Sequence, residues 1–281
     1  MRALPIGVLA SFFMALSLCT NAVADTYTKL QLSSNAADGN TVFTDSSSSA
    51  HVITPMGAVH HSEVEKKFGI SSVYFDGNGS FLEAPHSLDW GFGSGDFTIH
   101  FWINPSSFSN YQTVLSNCSS VGYGPYVIQV DSAGLLSLYS SSTGSSWDVA
   151  FKAMIAQLKL STWTHVAIVR SGSNILCFQD GILRSTTTST ASLVDVQGLL
   201  TIGDRVSHVQ PFHGFLEEIN ISKGIARWTS SFDPPTPGTC SADYNDDGIV
   251  DSLDLIEKQQ DVLQELQDWT ENCWKAQVEC Q

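Results

Sequence analysis

Basic residues are scarce in this 281-residue sequence, which has 13 Lys and Arg against 28 Asp and Glu and a formal net charge of −15. Phosphate backbones and anionic membrane surfaces repel such a chain, so nucleic acid is excluded as a partner. After the first two dozen residues no apolar run is long enough to span a bilayer, so no transmembrane segment is expected. No Cys-x-x-Cys pair has a matching second pair, which argues against a zinc site.

Catalytic signatures are lacking as well. The sequence has no Gly-x-Ser-x-Gly elbow and no His-Glu-x-x-His motif. Glu217 and Glu218 are adjacent in a strand-like run, where alternation would point them to opposite faces and prevent joint action on one bond. His165 lies on a predicted strand and is expected to be structural. We therefore expect a protein that is not an enzyme.

The N-terminal segment 1–24 has the pattern of a secretory signal peptide. An apolar run follows Arg2, and Ala22-Val23-Ala24 provides the small residues of a cleavage site before Asp25. The mature chain is then secreted, either extracellular or associated with the cell surface. The alternative is a lipid anchor on Cys19, although Leu18 stands where a small residue is expected.

Residues 25–233 are predicted to form one all-β domain. Short strand-like runs such as Phe97 to Ile103, His165 to Val169 and Phe215 to Ile221 alternate with glycine-containing turns such as Asp180-Gly181. Many short strands at this spacing, with no convincing helix between them, indicate a sandwich or jelly roll. The Ser-rich stretches 142–146 and 185–192 are expected to be surface loops or edge strands.

Several segments of this domain resemble the laminin-G-like, concanavalin-A-like jelly-roll family. They are Phe75-Asp76-Gly77, Gly95 to Ile103, Trp163 to Ala167, Gln179-Asp180-Gly181, Ile202-Gly203, and Gly214 to Ile219 with Ala226-Arg227-Trp228. The resemblance implies a two-sheet antiparallel sandwich. Trp102, Trp163 and Trp228 stand among apolar strand residues and are expected to be core residues. Glycosidases of this fold carry runs such as Glu-x-Asp-x-Glu, and none occurs here.

The resemblance also implies that a sugar would be held at exposed aromatic and polar loop residues. The loops offer Tyr111, Tyr123 and Trp147, with packing over loop edges as the alternative role for all three. A second calcium ion within the sandwich is common in the family, but the sequence does not place one.

The C-terminal part is expected to be a separate module. Residues 234–239 form a proline-rich linker, and residues 240–281 contain no glycine or proline from Ile249 onward. Leu255, Val262, Leu266 and Trp269 recur at helical spacing, which predicts an amphipathic helix. The expected fold is thus a jelly-roll sandwich followed by a small module with a calcium loop and an α-helix.

The segment from Asp243 to Asp254 fits the twelve-residue EF-hand loop, with Gly248 at the sharp turn. The predicted Ca²⁺ ligands are the side chains of Asp243, Asn245, Asp247, Asp251 and Asp254 and the carbonyl of Ile249. A loop with only an exit helix, and with Asp in the last position, resembles one half of a dockerin repeat. Because dockerins pair two such segments, a calcium-stabilised cap or spacer is expected, and recruitment of a protein partner is the alternative.

Five cysteines follow the cleavage site, so at least one is free or paired with another chain. A continuous helix would separate Cys273 from Cys280 by roughly 10 Å, too far for a disulfide. Cys240 is therefore expected to bond one of them. Cys118 with Cys177 is a further candidate pair.

Three functions are compatible with these observations. The leading hypothesis is a secreted protein that binds a glycan or polysaccharide, or mediates adhesion, without catalysis. The second is a structural or assembly protein whose tail recruits a partner. The third is a glycoside hydrolase or polysaccharide lyase with an unrecognised site.

We predict that the tail binds one Ca²⁺ with a dissociation constant on the order of 0.1 to 1 mM, because Asp254 reaches less far than the usual Glu. Calorimetry on the segment 237–281 measures this directly. No heat of binding at millimolar calcium would contradict the prediction.

Overall fold

The computed structural model describes residues 25–119, 122–206 and 208–236. Several predicted features lie outside these residues: the signal peptide, the calcium loop, the tail helix and Cys240, Cys273 and Cys280.

The described strands are β1 Thr28–Leu32, β2 Thr54–Met56, β3 His60–Ser62, β4 Ser72–Asp76, β5 Phe81–Ala84, β6 Phe97–Pro105, β7 Gln112–Asn117, β8 Tyr126–Val130, β9 Leu135–Ser140, β10 Ala150–Gln157, β11 Thr164–Ser171, β12 Asn174–Gln179, β13 Ile182–Thr188, β14 Leu200–Ile202 and β15 His213–Lys223.

The strands form two antiparallel sheets packed face to face. Sheet A has the order β13-β12-β11-β6-β15-β4-β3, with β1 also paired to β15, and sheet B has the order β10-β9-β8-β7-β14-β5-β2. Within the described ranges the only helical element is the 3₁₀ turn Leu88–Trp90, and no helix there is long and apolar enough to cross a membrane. The expectation of an all-β two-sheet sandwich is confirmed for this part of the chain.

The core lies between the inner faces of the two sheets. Sheet A contributes residues such as Phe75, Ile99 and Phe101, and sheet B contributes Ile128 and Leu138, each at most 1% exposed. Every second residue of a strand faces inward, so these short alternating runs supply one continuous apolar layer. The turn residue Asp180 has a left-handed backbone, with φ of 49°.

Strand β6 differs from this pattern because all nine of its residues are buried. Phe97, Ile99, Phe101 and Ile103 belong to the core cluster between the sheets. The residues between them face the outside of sheet A, where two further segments cover them. One is the loop 63–71, and the other is the segment 224–236 that follows β15, which we call the strap.

Side-chain rings and backbone hydrogen bonds fix the strap on sheet A. Trp228 and Phe232 stack at 4.1 Å with an interplanar angle of 7°, and they pack against Ala167, Val169, Leu176 and Phe178. The amide of Phe232 donates to the carbonyl of Gly181 at 3.0 Å, where a Cβ on Gly181 would overlap the Phe232 carbonyl oxygen. Trp102 Nε1 donates to the Pro235 carbonyl at 3.4 Å, so the first part of the predicted linker lies on the sheet.

A buried arginine ties two distant loops together. Arg170 on β11 is 1% exposed, and its guanidinium donates to the carbonyls of Gly93, Gly172, Ser189 and Ala191 at 3.0 to 3.2 Å. The carbonyls disperse the charge, and Asp96 lies close enough to favour it electrostatically. This arrangement uses the planar fork of arginine, which a lysine could not reproduce.

The candidate bond between Cys118 and Cys177 is absent from the described structure, where both are buried free thiols. Cys177 on β12 faces the main core between the sheets. Cys118 follows β7 and packs with Val127 and Tyr139 in a separate cluster. The two thiols therefore belong to different packing clusters, and the sequence suggestion is corrected.

We predict that Arg170→Met lowers the free energy of unfolding by about 3 kcal/mol, because four carbonyls around a buried side chain lose a charged donor. Arg170→Lys should recover only part of this loss, since one ammonium group cannot reach four carbonyls. Chemical denaturation measures both, with Arg184→Met on the exposed face of β13 as the control, expected to change stability by less than about 0.5 kcal/mol. Equal stability of the Arg170→Met and Arg184→Met variants would contradict the structural role.

Candidate functional site

A chain of aromatic rings lies at the outer face of sheet B. Tyr123 and Trp147 have ring centroids 4.9 Å apart, Trp147 is 5.6 Å from Tyr139, and Tyr139 is 5.6 Å from Phe151. We call Tyr123, Tyr139, Trp147 and Phe151 the aromatic band. Two of the three aromatics predicted from the sequence are therefore in direct contact, and Trp147 is half-buried rather than free in solvent.

A bulge in β10 presents two of the residues next to this band. Ala150 pairs with Ser140 and Ala153 with Leu138, so Phe151 and Lys152 together stand opposite Tyr139. Lys152 has a left-handed backbone with φ of 54°. Such a bulge breaks the alternation of side chains, which explains why both residues are exposed, Phe151 by 66%.

Lys152 connects the third predicted aromatic to the same surface. Its Nζ lies 3.4 Å from the hydroxyl of Tyr111 and 5.9 Å from the centre of that ring. Tyr111 precedes β7 and is 44% exposed. The structure thus brings all three sequence candidates to one side of the domain, with Tyr111 at one end and Tyr123 at the other.

Arg205 supplies a second cation beside the band. Its guanidinium carbon lies 6.0 Å from the centre of the Trp147 ring, and an Nη2 hydrogen bonds to the carbonyl of Gly122. Gly122 has a φ of 93°, a backbone conformation that favours glycine, and a Cβ there would displace the guanidinium. The loop after β14 is in this way attached to the loop before β8.

One side of the band is anchored rather than exposed. Trp147 and Val206 pack against the buried cluster of Cys118, Val127 and Tyr139. Burial raises the pKa of Tyr139, with nearby Lys152 acting in the opposite direction. The alternative role of Trp147, packing over a loop edge, is therefore part of its environment, and the remaining ring surface is open.

The loop that carries Trp147 is held by its own hydrogen bonds. Asp148 Oδ1 accepts from the Ser142 amide at 3.0 Å and from the Ser141 hydroxyl at 3.1 Å, and its other oxygen accepts from the Ser142 hydroxyl. The predicted Ser-rich surface loop is thus ordered around one carboxylate. This gives Trp147 a defined position beside Tyr123.

Polar groups continue the outer face of sheet B toward β7. Thr113 Oγ1 donates to Gln210 Oε1 at 3.1 Å, and Gln129 Nε2 donates to Thr113 Oγ1 at 3.1 Å. Gln210 lies on the same β14–β15 connection as Arg205. These contacts place amide and hydroxyl groups on the same face as the rings.

The acidic pair Glu217 and Glu218 lies on the other sheet, and its geometry departs from simple alternation. A bulge separates Glu217 from Asn220 in the register with β6, and Glu218 has a left-handed φ of 49°. Glu217 is 2% exposed and accepts from the amides of Lys67 and Phe68 at 2.6 and 3.0 Å. Glu218 instead accepts from the Ser33 hydroxyl at 3.0 Å.

The environment of Glu217 explains why its carboxyl group is a weaker acid than usual. Burial raises its pKa to about 7, although the two amide hydrogen bonds act in the opposite direction. A pKa in this range would suit a general acid, but both carboxylate oxygens are occupied by backbone donors of the loop 63–71. The contacts indicate that Glu217 holds this loop against sheet A.

Within the described ranges no group of three or more His, Cys, Asp or Glu side chains is arranged to hold a metal ion. The predicted Ca²⁺ ligands Asp243 to Asp254 lie beyond these ranges. Calcium binding by the tail therefore stays a prediction. The second calcium ion considered for the sandwich has no candidate ligand cluster in the described part.

Several solved structures share the fold of this domain. The binding domain of Paraclostridial Mosquitocidal Protein 1 has a TM-score of 0.56 and 12% identity, and the match covers 71% of this chain and 49% of that one. The receptor binding domain of botulinum neurotoxin D has a TM-score of 0.55 and 12% identity, covering 71% and 50%. This chain therefore spans about half the length of these toxin domains.

A second type of similar structure is a smaller domain. Domain 4 of AbnA, a GH43 extracellular arabinanase from Geobacillus stearothermophilus, was solved in complex with arabinotriose. It has a TM-score of 0.53 and 16% identity, and the match covers 71% of this chain and 93% of that domain. At these identities the likeness establishes the fold.

No protein with curated annotation matches the sequence. Residues 76–227, more than half of the 281-residue chain, match the Laminin_G_3 family, described as the concanavalin A-like lectin/glucanases superfamily. The matched segment contains the whole aromatic band and all of β5 to β15. The chain is therefore a member of the concanavalin A-like lectin/glucanases superfamily.

Proposed function

We propose that the jelly-roll domain binds a carbohydrate at the aromatic band and leaves it chemically unchanged. The observation that carries the proposal is the contact of Tyr123 with Trp147 at 4.9 Å, continued through Tyr139 to the 66% exposed ring of Phe151. Sugar rings present apolar C–H faces that pack on aromatic rings, and several such rings in a row suit an oligosaccharide.

Polar groups beside the rings would orient the bound sugar. Lys152 and Arg205 offer donors at two places along the band. The amide of Gln129 on β8 is hydrogen-bonded to Gln210 of the β14–β15 connection. A site of this kind combines stacking surface with a few placed hydrogen-bonding groups. The arabinanase domain solved with arabinotriose, and a botulinum neurotoxin DC binding domain solved in complex with SialylT, support binding of a sugar by a domain of this fold.

Glycoside hydrolysis is the less favoured function. It requires two carboxyl groups that face one glycosidic bond. Glu217 is enclosed by the loop 63–71, and Glu218 is bonded to Ser33, so the adjacent acids have different partners. The proposal therefore assigns binding, not turnover, to this domain.

The remaining parts of the proposal rest on the sequence. The segment 1–24 would export the protein, and the tail 240–281 would bind Ca²⁺ through Asp243, Asn245, Asp247, Ile249, Asp251 and Asp254. A protein partner of the tail is the alternative role that the dockerin resemblance suggests. Secretion would place the sugar-binding surface where polysaccharides and cell-surface glycans occur.

We predict that Phe151→Ala weakens retention on the bound polysaccharide by about 2- to 10-fold, because a stacked ring contributes about 0.5 to 1.5 kcal/mol. A glycan array run with and without calcium first identifies the sugar, and affinity electrophoresis then compares the variants. Trp147→Ala should weaken binding at least as much, because it removes a ring and the packing under Tyr139.

Tyr27→Ala is the matched control, since Tyr27 is 43% exposed just before β1 of sheet A and makes none of the ring contacts of the band. Thermal unfolding verifies that each variant is folded. Unchanged retention of both folded band variants, or silence of the folded wild-type protein on the array, would refute the site. Release of reducing ends above background would refute the non-catalytic assignment.

A further inference from the structure

Two histidines lie beneath the strap on the outer face of sheet A. His100 on β6 and His165 on β11 are 8% and 0% exposed, and His100 Nδ1 lies 3.4 Å from His165 Nε2. The strap rings close over them, with Trp228 at 5.1 Å from His100 and at 6.0 Å from His165, and Phe232 at 5.8 Å from His165.

This environment favours neutral imidazoles. His165 Nδ1 is buried with no hydrogen-bond partner, and within the described residues neither imidazole bonds or pairs with a carboxylate. Burial lowers the pKa of His165 to about 3. Burial also lowers the pKa of His100 far below its usual value, and the neighbouring His165 and Arg227 add repulsion.

The charged groups around the two histidines do not neutralise the positive charge that protonation of an imidazole would create. From the turn after β12, Asp180 Oδ1 accepts the backbone amide of His165, so this carboxylate is already engaged. From the loop 63–71, Lys67 Nζ lies 4.5 Å from the centre of the Trp102 ring, which itself is 5.3 Å from His165.

Two further groups face the pair from β15 and from the strap. Glu217 stands opposite Trp102 in the register of β15 with β6, and it takes up a proton as the solution is acidified. Arg227 of the strap is a cation, and its partner is Asp25 at 2.6 Å. Acidification would thus leave an added imidazolium with less negative charge near it.

We infer that the strap is an acid-sensitive latch: protonation of His100 and His165 below neutral pH releases residues 224–236 from sheet A while the two-sheet sandwich stays folded. The strap is the element that gives way because it is a single segment. It is held by the Trp228–Phe232 stack, the ion pair of Arg227 with Asp25 and a few hydrogen bonds to sheet A. The strands beneath it are each paired to neighbours along their length.

The pH dependence of strap docking follows from the difference in proton binding between the docked and the released state. In the docked state burial lowers the pKa of both imidazoles, whereas in the released state solvent reaches them and their pKa values rise toward 6.5, the ordinary value for histidine. The released state therefore binds more protons between pH 6.5 and about 3, and docking weakens as the pH falls through this range. At pH 4.5 one histidine favours release by up to about 100-fold.

The strap also has one ionic contact, the pair of Arg227 with Asp25, which titrates at lower pH than the histidines. Its effect can therefore be separated from theirs. Burial opposes ionisation of Asp25, but its pairing with Arg227 and its hydrogen bonds from Thr28 together outweigh burial and lower its pKa below the usual value. This contact is lost only as the pH falls through that lower value. A measurement between pH 7.5 and 4.5 therefore reports on the histidines.

Release would have two structural consequences. It would uncover the rings of Trp102 and Phe178 on sheet A, which the strap now shields. It would also convert the thirteen residues of the strap into extended chain of up to about 40 Å.

Hydrogen exchange of the full chain at pH 7.5 and 4.5, with labelling times corrected for intrinsic rates, tests the latch. We expect the amides of the strap, that of Phe232 in particular, to lose protection by at least tenfold at pH 4.5, while the strands of sheet B stay protected. In a His100→Gln/His165→Gln variant this loss should disappear, and His60→Gln on β3 of the same sheet should respond like the wild type.

Three results would overturn the inference. They are unchanged strap protection in the wild type at pH 4.5, an equal acid response in the double variant, and loss of protection in the strap and both sheets at the same pH. Should the double variant fail to fold, imidazole ¹⁵N shifts of the wild-type protein decide the question. Imidazoles that charge while the strap amides stay protected would also refute the latch.

Discussion

Burial of β6 on both faces is the constraint on which the rest of this domain depends. Its inner residues join the core, but Thr98, His100, Trp102 and Asn104 would be left on an open sheet without the strap and the loop 63–71. Each polar group of this row needs a partner, and several find one in those segments: Thr98 Oγ1 donates to the Ile225 carbonyl at 3.0 Å and accepts from the Arg227 amide at 3.0 Å. Sheet A is therefore covered over much of its outer face, and its charged residues mainly hold the cover in place.

Sheet B has the opposite organisation, because its outer face carries rings that nothing in the described chain covers completely. The short loops between β7 and β10 and the bulge in β10 bring Tyr123, Tyr139, Trp147 and Phe151 together from positions almost thirty residues apart. Phe151 is exposed and Tyr123 and Trp147 are half-buried, so the band is a partly open apolar patch of the kind that marks interaction sites. The difference between the closed and the open sheet is the reason for placing the ligand on sheet B.

Much of the fold follows from the sequence, since the alternating runs that form β4, β6, β8, β11 and β12 and the glycine turns between them can be recognised directly. Strands β7 and β10 could not be predicted this way, because a bulge interrupts the alternation in each of them. Because of the bulge in β10, Phe151 and Lys152 could not be predicted as site residues from the sequence. Tyr111, Tyr123 and Trp147 are recognisable as aromatics in polar loops. No sequence pattern indicates that Tyr139 joins them, since it depends on strand register alone.

The proline-rich segment after β15 shows how local chemistry and packing combine. Strand β15 ends at Lys223, well before Pro234 and Pro235, which cannot donate a backbone hydrogen bond to a strand. Trp228 and Phe232 nevertheless require burial, and the outer face of β11 and β12 offers Ala167, Leu176 and Phe178 as an apolar surface of matching size. Placing two histidines at the edge of that surface makes the docking of an apolar segment dependent on an ionisable group. Leu or Phe at these positions would give firmer packing, so the imidazoles lower the stability of the contact in exchange for a response to pH.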